Sequence, residues 1–268
     1  MIFIAAFIAV YLTFWLLLSA GGPLLERGLR AAAQRSARFR HRDYVPVFAL
    51  IAIGIVATAA AGDAFMDIAE SVQAESTKLH DVDTATHAWA HETRTQGATE
   101  FFTLMTIIGT PVGLAVLDTI VAAVLALRKH WHWSVYLLIT AGIGGLLNLL
   151  LKRLFSRARP ELAEALRGAH GYSFPSGHAM GSTITFCALS YLAFRAFKSW
   201  RVRAAIVALF CSMIVAIATS RIYLGVHWIS DVGAGISAGL IWFVAATVAY
   251  ETWRRIRLVR ALRAKGAG

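Results

Sequence analysis

The stretch IVAIATSRIYLGVHWISDVGAGISAGLIWFVAA, residues 214–246, holds two apolar runs joined by a short turn that carries Arg221, His227 and Asp231. The runs extend over 204–221 and 229–250, close to the about 20 helical residues that cross a hydrocarbon core of about 30 Å. A segment inside lipid must satisfy its own backbone hydrogen bonds, which a helix does. The stretch therefore predicts a membrane hairpin whose polar residues gather at one end.

Composition extends this reading to the whole chain. Of 268 residues, 58% are hydrophobic and 15% charged, whereas soluble domains average about 25% charged. The mean hydropathy is +0.62. Five more apolar runs lie near 1–20, 44–62, 101–127, 133–152 and 177–197. Together they predict an all-α integral membrane protein of about seven transmembrane helices. The first run has no basic residues before it and exceeds a secretory h-region, so it is expected to be a retained helix and not a cleaved signal. Cys187 and Cys211 both lie in apolar runs, without CxxC or metal spacing, and are expected as free buried thiols.

The net charge of +11 does not argue for nucleic acid, because the basic residues sit in short clusters between apolar runs. Arg27, Arg30, Arg35, Arg38, Arg40 and Arg42 follow the first run, and Arg128 and Lys129 the third. Arg195, Lys198, Arg201 and Arg203 follow the fifth, and six more from Arg254 to Lys265 follow the seventh. Clusters on alternate loops mark the cytoplasmic side. The acidic segment from Asp63 to Glu100 is then outside. One outer loop breaks the rule: LLKRLFSRARPELAEALRGAHGYSFPSGH, 150–178, carries Lys152, Arg153, Arg157, Arg159 and Arg167. Either it pairs locally with Glu161 and Glu164, or the charge serves another purpose.

This loop, the start of the helix after it and the turn 220–231 all return to the outer face. Lys152, Arg159 and Arg221 there describe an anion pocket, since Arg offers a planar fork and Lys a mobile charge for phosphate oxygens. Ser176 and Gly177, at the start of an apolar helix, add free backbone N–H groups and the favourable end of the helix dipole. Ser176 also suits ordinary capping. His227 and Asp231, four apart, share a face if the segment is helical, and the carboxylate can then fix the imidazole tautomer and strengthen its other nitrogen. A capped helix start explains that pair equally well when it is taken alone.

Taken together, K-x6-RP from Lys152 to Pro160, PSGH from Pro175 to His178 and SR-x5-H-x3-D from Ser220 to Asp231 resemble the three-part signature of the type 2 phosphatidic acid phosphatase (PAP2) superfamily, over roughly 101–250. The resemblance implies a helical phosphatase core in which Lys152, Arg159, Ser176, Gly177 and Arg221 bind phosphate. It also implies His227 as nucleophile, Asp231 as its orienting partner and His178 as general acid. No metal or cofactor is implied, because fixed cations already neutralise the phosphate. The expected substrate is a lipid phosphate, whether prenyl diphosphate, phosphatidylglycerophosphate or phosphatidate, met on the outer face of a bacterial-type inner membrane. A lipid phosphotransferase is the alternative, while a non-enzymatic carrier would need more polar residues along its spans.

Membrane members of the family commonly have six spans. Residues 1–43 thus resemble an added helix with an Arg-rich cytoplasmic loop, 44–250 the phosphatase domain and 251–268 a basic tail lying along anionic lipid. Asp118, inside the third run, is expected to make a structural hydrogen bond to a neighbouring helix. Asn148 is expected to pack one turn before Lys152. His80, His87 and His91, with Asp81 and Asp83, are expected on a solvated helix or loop. Trp131, Trp133, Trp200, Trp228 and Trp253 are expected as interfacial anchors.

Overall fold

The computed structural model describes residues 2–35, 45–160 and 171–266. Their elements are helices throughout: α1 Ile2–Arg35, α2 Val45–Gln73, α3 Thr77–Glu92, α4 Gln96–Ile108, α5 Pro111–Leu127, α6 Trp131–Phe155, α7 Gly177–Ala196, α8 Trp200–Tyr223 and α9 Ile229–Gly266. The Arg38–Arg42 cluster and the proposed pairing of the basic loop with Glu161 and Glu164 lie outside the described residues.

Among the described residues, four helices have the length and apolar composition to cross a membrane: Ile4–Gly21 within α1, Trp131–Phe155, Trp200–Tyr223 and Ile229–Arg257 within α9. The pair α4 and α5, bent by 56°, makes a fifth if it counts as one span. The α7 helix is less apolar because its first half carries polar residues held in the bundle interior, including buried Ser182, Thr183 and Thr185. Many large apolar side chains point outward, with Val112 74%, Leu127 84%, Leu146 65% and Leu154 67% exposed. A hydrocarbon surround gives such a surface its place.

The bundle centres on α7, which packs against α6, α8 and α9. Small residues allow the closest of these crossings. A Cβ on Gly235 would stand 2.7 Å from the Ser176 carbonyl oxygen, and one on Gly239 2.8 Å from Thr183, so α9 approaches α7 at backbone distance. Helix α1 lies against α8, with the Trp200 indole donating to the Leu18 carbonyl at 2.9 Å. Helix α9 continues without a break through the basic segment after residue 250.

Two expectations require correction. The run 101–127 is not one straight helix. Pro111 lacks an N–H to continue the α4 ladder, and Thr110 caps a new helix, its Oγ1 accepting from Gly113 N–H at 2.9 Å. The acidic segment is not merely solvated either: Asp83 on α3 is 1% exposed and faces the basic loop.

Candidate active site

Each of the three motif segments ends or begins a helix, and the helix ends meet. Lys152 sits in the last turn of α6, which closes at Ser156 in a left-handed conformation, φ 47°. The chain then doubles back so that Ser173 N–H bonds the Arg157 carbonyl at 2.9 Å and Ser173 Oγ the Ala158 carbonyl at 2.8 Å. Ser176 begins α7, and its N–H reaches the Asp231 carbonyl at 2.9 Å, tying the starts of α7 and α9 together. Between α8 and His227 the turn passes through Gly225 at φ 74°, where a side chain would be strained.

His227 is 2% exposed. Its Nδ1 lies 3.3 Å from Asp231 Oδ2, and its Nε2 lies 3.1 Å from Arg159 Nη1. A guanidinium only donates, so Nε2 must be the accepting nitrogen and Nδ1–H donates to the carboxylate. The accepting lone pair of His227 thus points at the Arg159 guanidinium. Burial pushes the His227 pKa down to about 4, against the raising effects of Asp231. Burial also lowers that of Arg159, while Asp231 opposes the shift.

His227 itself precedes α9, so the pair does not lie within one helix. Asp231 Oδ2 also accepts from Trp228 N–H at 3.1 Å. The carboxylate therefore both caps a helix start and holds the imidazole.

The remaining site residues surround this pair. Lys152 Nζ donates to the Tyr172 carbonyl at 2.7 Å and is electrostatically coupled to Arg159, Asp231 and Arg221. Arg159 also donates to the carbonyls of Gly171 at 3.0 Å and Val226 at 2.8 Å. Arg221 Nη1 bonds Thr106 Oγ1 from α4. His178 lies in the electrostatic field of Arg221, His227, Arg159 and Lys152. Among the described residues, its Nε2 and the Ser176 Oγ have no hydrogen-bond partner although both are buried. Ser176 is the cap residue of α7 by position, but its side chain makes no cap bond. Gly177 leaves room beside it: a Cβ there would stand 2.9 Å from Asn148 Oδ1 and 3.8 Å from Lys152 Cε. Asn148 packs there as expected, its Nδ2 reaching Met180 Sδ at 3.4 Å.

Sequence reasoning missed the layer behind Asp231. Arg157 Nη1 donates to Asp231 Oδ1 and its Nη2 to Asp83 Oδ2, both at 2.7 Å. Asp83 in turn accepts from Ser230 N–H at 3.1 Å and Ser230 Oγ at 2.7 Å. Trp228 packs between Arg157, 5.9 Å away, and the His87 ring at 5.7 Å. In the sequence Arg157 is only one more positive charge in a basic loop. Nothing in the sequence distinguished Asp83 from its acidic neighbours.

Removing one partner of a buried ion pair costs about 3–5 kcal/mol, and about 1–3 kcal/mol is expected for Arg157→Met because its side chain keeps contact with solvent. The variant should have a lower Tm in detergent and react more slowly at His227. Asp83→Asn, which keeps its Ser230 contacts, should do less of both. Unchanged single-turnover rates in Arg157→Met would detach this layer from the site.

The PAP2 superfamily model matches residues 133–255. Phosphatidylglycerophosphatase B of Bacillus subtilis is 32% identical over 131 residues, which is 48% of this chain and 64% of that protein. Lipid A 1-phosphatase of Rhizobium johnstonii is 33% identical over 144 residues, 50% of this chain and 54% of that protein. The chain thus spans less than two thirds of the length of these curated relatives. The crystal structure of a transmembrane PAP2-type phosphatidylglycerolphosphate phosphatase from Bacillus subtilis superposes with a TM-score of 0.66 at 27% identity, covering 73% of this chain and 96% of that one. Three motif segments meeting at one end of a helical bundle, the family match over residues 133–255 and this shared fold make the chain similar to the PAP2 superfamily.

Proposed function

We propose that the protein is a membrane lipid phosphate phosphatase working through a phosphohistidine. The observation that carries this reading is the His227 ring, tied through Nδ1 to Asp231 while Nε2 faces Arg159. A phosphate held by Arg159, Lys152 and Arg221, with the N–H groups at the start of α7, would present phosphorus to that nitrogen. Nε2 attacks in line, the cations hold the equatorial oxygens, and His178 delivers a proton to the departing lipid oxygen. Water then attacks the phosphohistidine, giving its proton to His178 and releasing phosphate. Preorganised cations do the electrostatic work that a metal performs elsewhere.

The relatives' names, phosphatidylglycerophosphatase B and Lipid A 1-phosphatase, support a lipid phosphate as substrate. A phosphotransferase would use the same first step and pass the phosphoryl group to a second lipid instead of water. The purified protein in detergent should release inorganic phosphate from lipid monophosphates or diphosphates, retain activity in EDTA and be blocked by vanadate. Phosphate transferred to an added lipid acceptor in place of release would select the phosphotransferase, and Mg²⁺-reversible loss in EDTA would overturn the metal-free mechanism.

We place the site on the outer face of a bacterial-type inner membrane, in a bundle of seven spans that includes α2 and α7. The opposite end carries the basic cluster around Glu251, which pairs with Arg254 at 2.8 Å and Arg195 at 3.7 Å, as expected of a cytoplasmic end. Single cysteines at Thr84 should react with an impermeant thiol reagent in intact cells and those at Ala32 should not. The reverse pattern would move the site to the cytoplasm.

A further inference from the structure

Helix α4 lies outside the three motif segments and outside residues 133–255, which match the family model, yet its last turn borders the site. Thr95, Thr99, Phe102 and Thr106 recur at intervals of four, three and four residues, a spacing that sets them along one face of a helix. Helix α4 packs against α8, and this face meets its last turn. Tyr223 Oη accepts from Thr95 N–H at 2.9 Å and lies 3.2 Å from Thr99 Oγ1. Its ring stands 4.6 Å from that of Phe102. Along the same face Thr106 Oγ1 accepts from Arg221 Nη1. Gly109, which caps α4, ends beside the other motif histidine: a Cβ there would collide with Ile217 and stand 3.4 Å from His178 Cδ2.

Thr106 is 2% exposed and Arg221 7%, so their bond is shielded from the water that would compete for both groups. The two side chains differ in freedom. A guanidinium on a long stem needs its orientation fixed before its planar fork can match phosphate oxygens. A threonine hydroxyl is placed by one torsion angle, which the β-branch restricts, so a docked α4 presents Oγ1 at a fixed point. The C-terminal end of α4 also favours a cation through the helix dipole. Thr106 can therefore hold the guanidinium plane without adding a charge that would compete with phosphate.

We propose that Thr106 is a positioning residue of the site: its hydroxyl holds one N–H of Arg221 so that the rest of the guanidinium meets the bound phosphoryl group in a fixed plane. The inference rests on the phosphatase reading and adds to it a residue from a helix that carries none of the motifs.

The test reads vanadate binding by calorimetry, because a dissociation constant, unlike a rate, does not depend on the folded fraction of a preparation. Thr106→Val keeps the shape of the side chain and removes the acceptor, and vanadate should bind about tenfold more weakly, the scale of one hydrogen bond to a charged group. Thr106→Ala should lose as much, and Thr106→Ser, which restores the hydroxyl, should return the affinity to near the wild-type value. Tyr223→Phe loosens the other end of α4 from α8, so it should lower Tm and leave vanadate affinity near wild type. In an Arg221→Met background, Thr106→Val should change the affinity no further, since the hydroxyl has lost the group it positions. Unchanged vanadate affinity in Thr106→Val and Thr106→Ala, a loss that Thr106→Ser does not restore, or an equal loss in Tyr223→Phe overturns the inference and leaves the phosphatase standing. Folded wild-type protein that neither binds vanadate nor releases phosphate from phosphatidate, phosphatidylglycerophosphate or prenyl diphosphate overturns the phosphatase reading and this inference with it.

Discussion

His227→Ala is expected to abolish the acid-labile phosphoenzyme and to lower turnover by about 10⁴-fold or more, the scale on which loss of a nucleophile acts. The expectation follows from geometry: Nε2 is the accepting nitrogen beside Arg159, and the other nitrogen is committed to Asp231. Asp231→Asn should leave a detectable but slowly formed phosphoenzyme, because the attacking nitrogen remains while its orientation and basicity suffer. The pH profile gives a second reading of the same residue. Burial holds the His227 pKa at about 4, so the neutral, attacking form is lost only as pH falls through that value. In kcat/KM, which reports the free enzyme, the limb due to His227 should lie near pH 4. An undiminished phosphohistidine in His227→Ala would reassign the nucleophile.

The second large effect is expected from His178→Ala, and its size should depend on the leaving group. A phosphate monoester such as phosphatidate expels an alkoxide, whose conjugate acid is nearly as weak as water at pKa about 15.7, so loss of the general acid should cost much of its roughly 10²–10⁴-fold contribution. A prenyl diphosphate expels a prenyl phosphate of pKa about 6, which departs without a proton. His178→Ala should therefore slow phosphoenzyme formation from phosphatidate far more than from prenyl diphosphate in single-turnover measurements. Equal losses on both, with substrate binding intact, would remove His178 from the acid role.

Much of this arrangement was legible before any coordinates. Apolar run lengths marked the helices from α6 to α9, because burial in hydrocarbon is a local property of about 20 consecutive residues. The cluster of basic residues in the loop after α6 marked Lys152 and Arg159 as an anion pocket, because such a cluster between apolar runs asks for a counter-charge. Motif spacing named Lys152, Arg159, Ser176, Gly177, His178, Arg221, His227 and Asp231, and the fold brings all eight to one end of the bundle. The bend between α4 and α5 escaped the hydropathy reading because apolar character continues across it, although Thr110 and Pro111 carry the local signal for a helix start.

The sequence by itself thus determined the membrane class, the hairpin of α8 and α9 and the polar residues gathered at its turn, all properties of residues near one another in the chain. Tertiary structure alone decided what stands behind and below that turn. The Arg157 to Asp83 contact joins residues 74 positions apart, and Ser230 to Asp83 joins residues 147 apart. Asp118 met Thr185, 67 positions away, only when α5 came to rest beside α7. Such pairings depend on which helix ends converge, and helix periodicity repeats every 3.6 residues without recording which neighbour a face will meet.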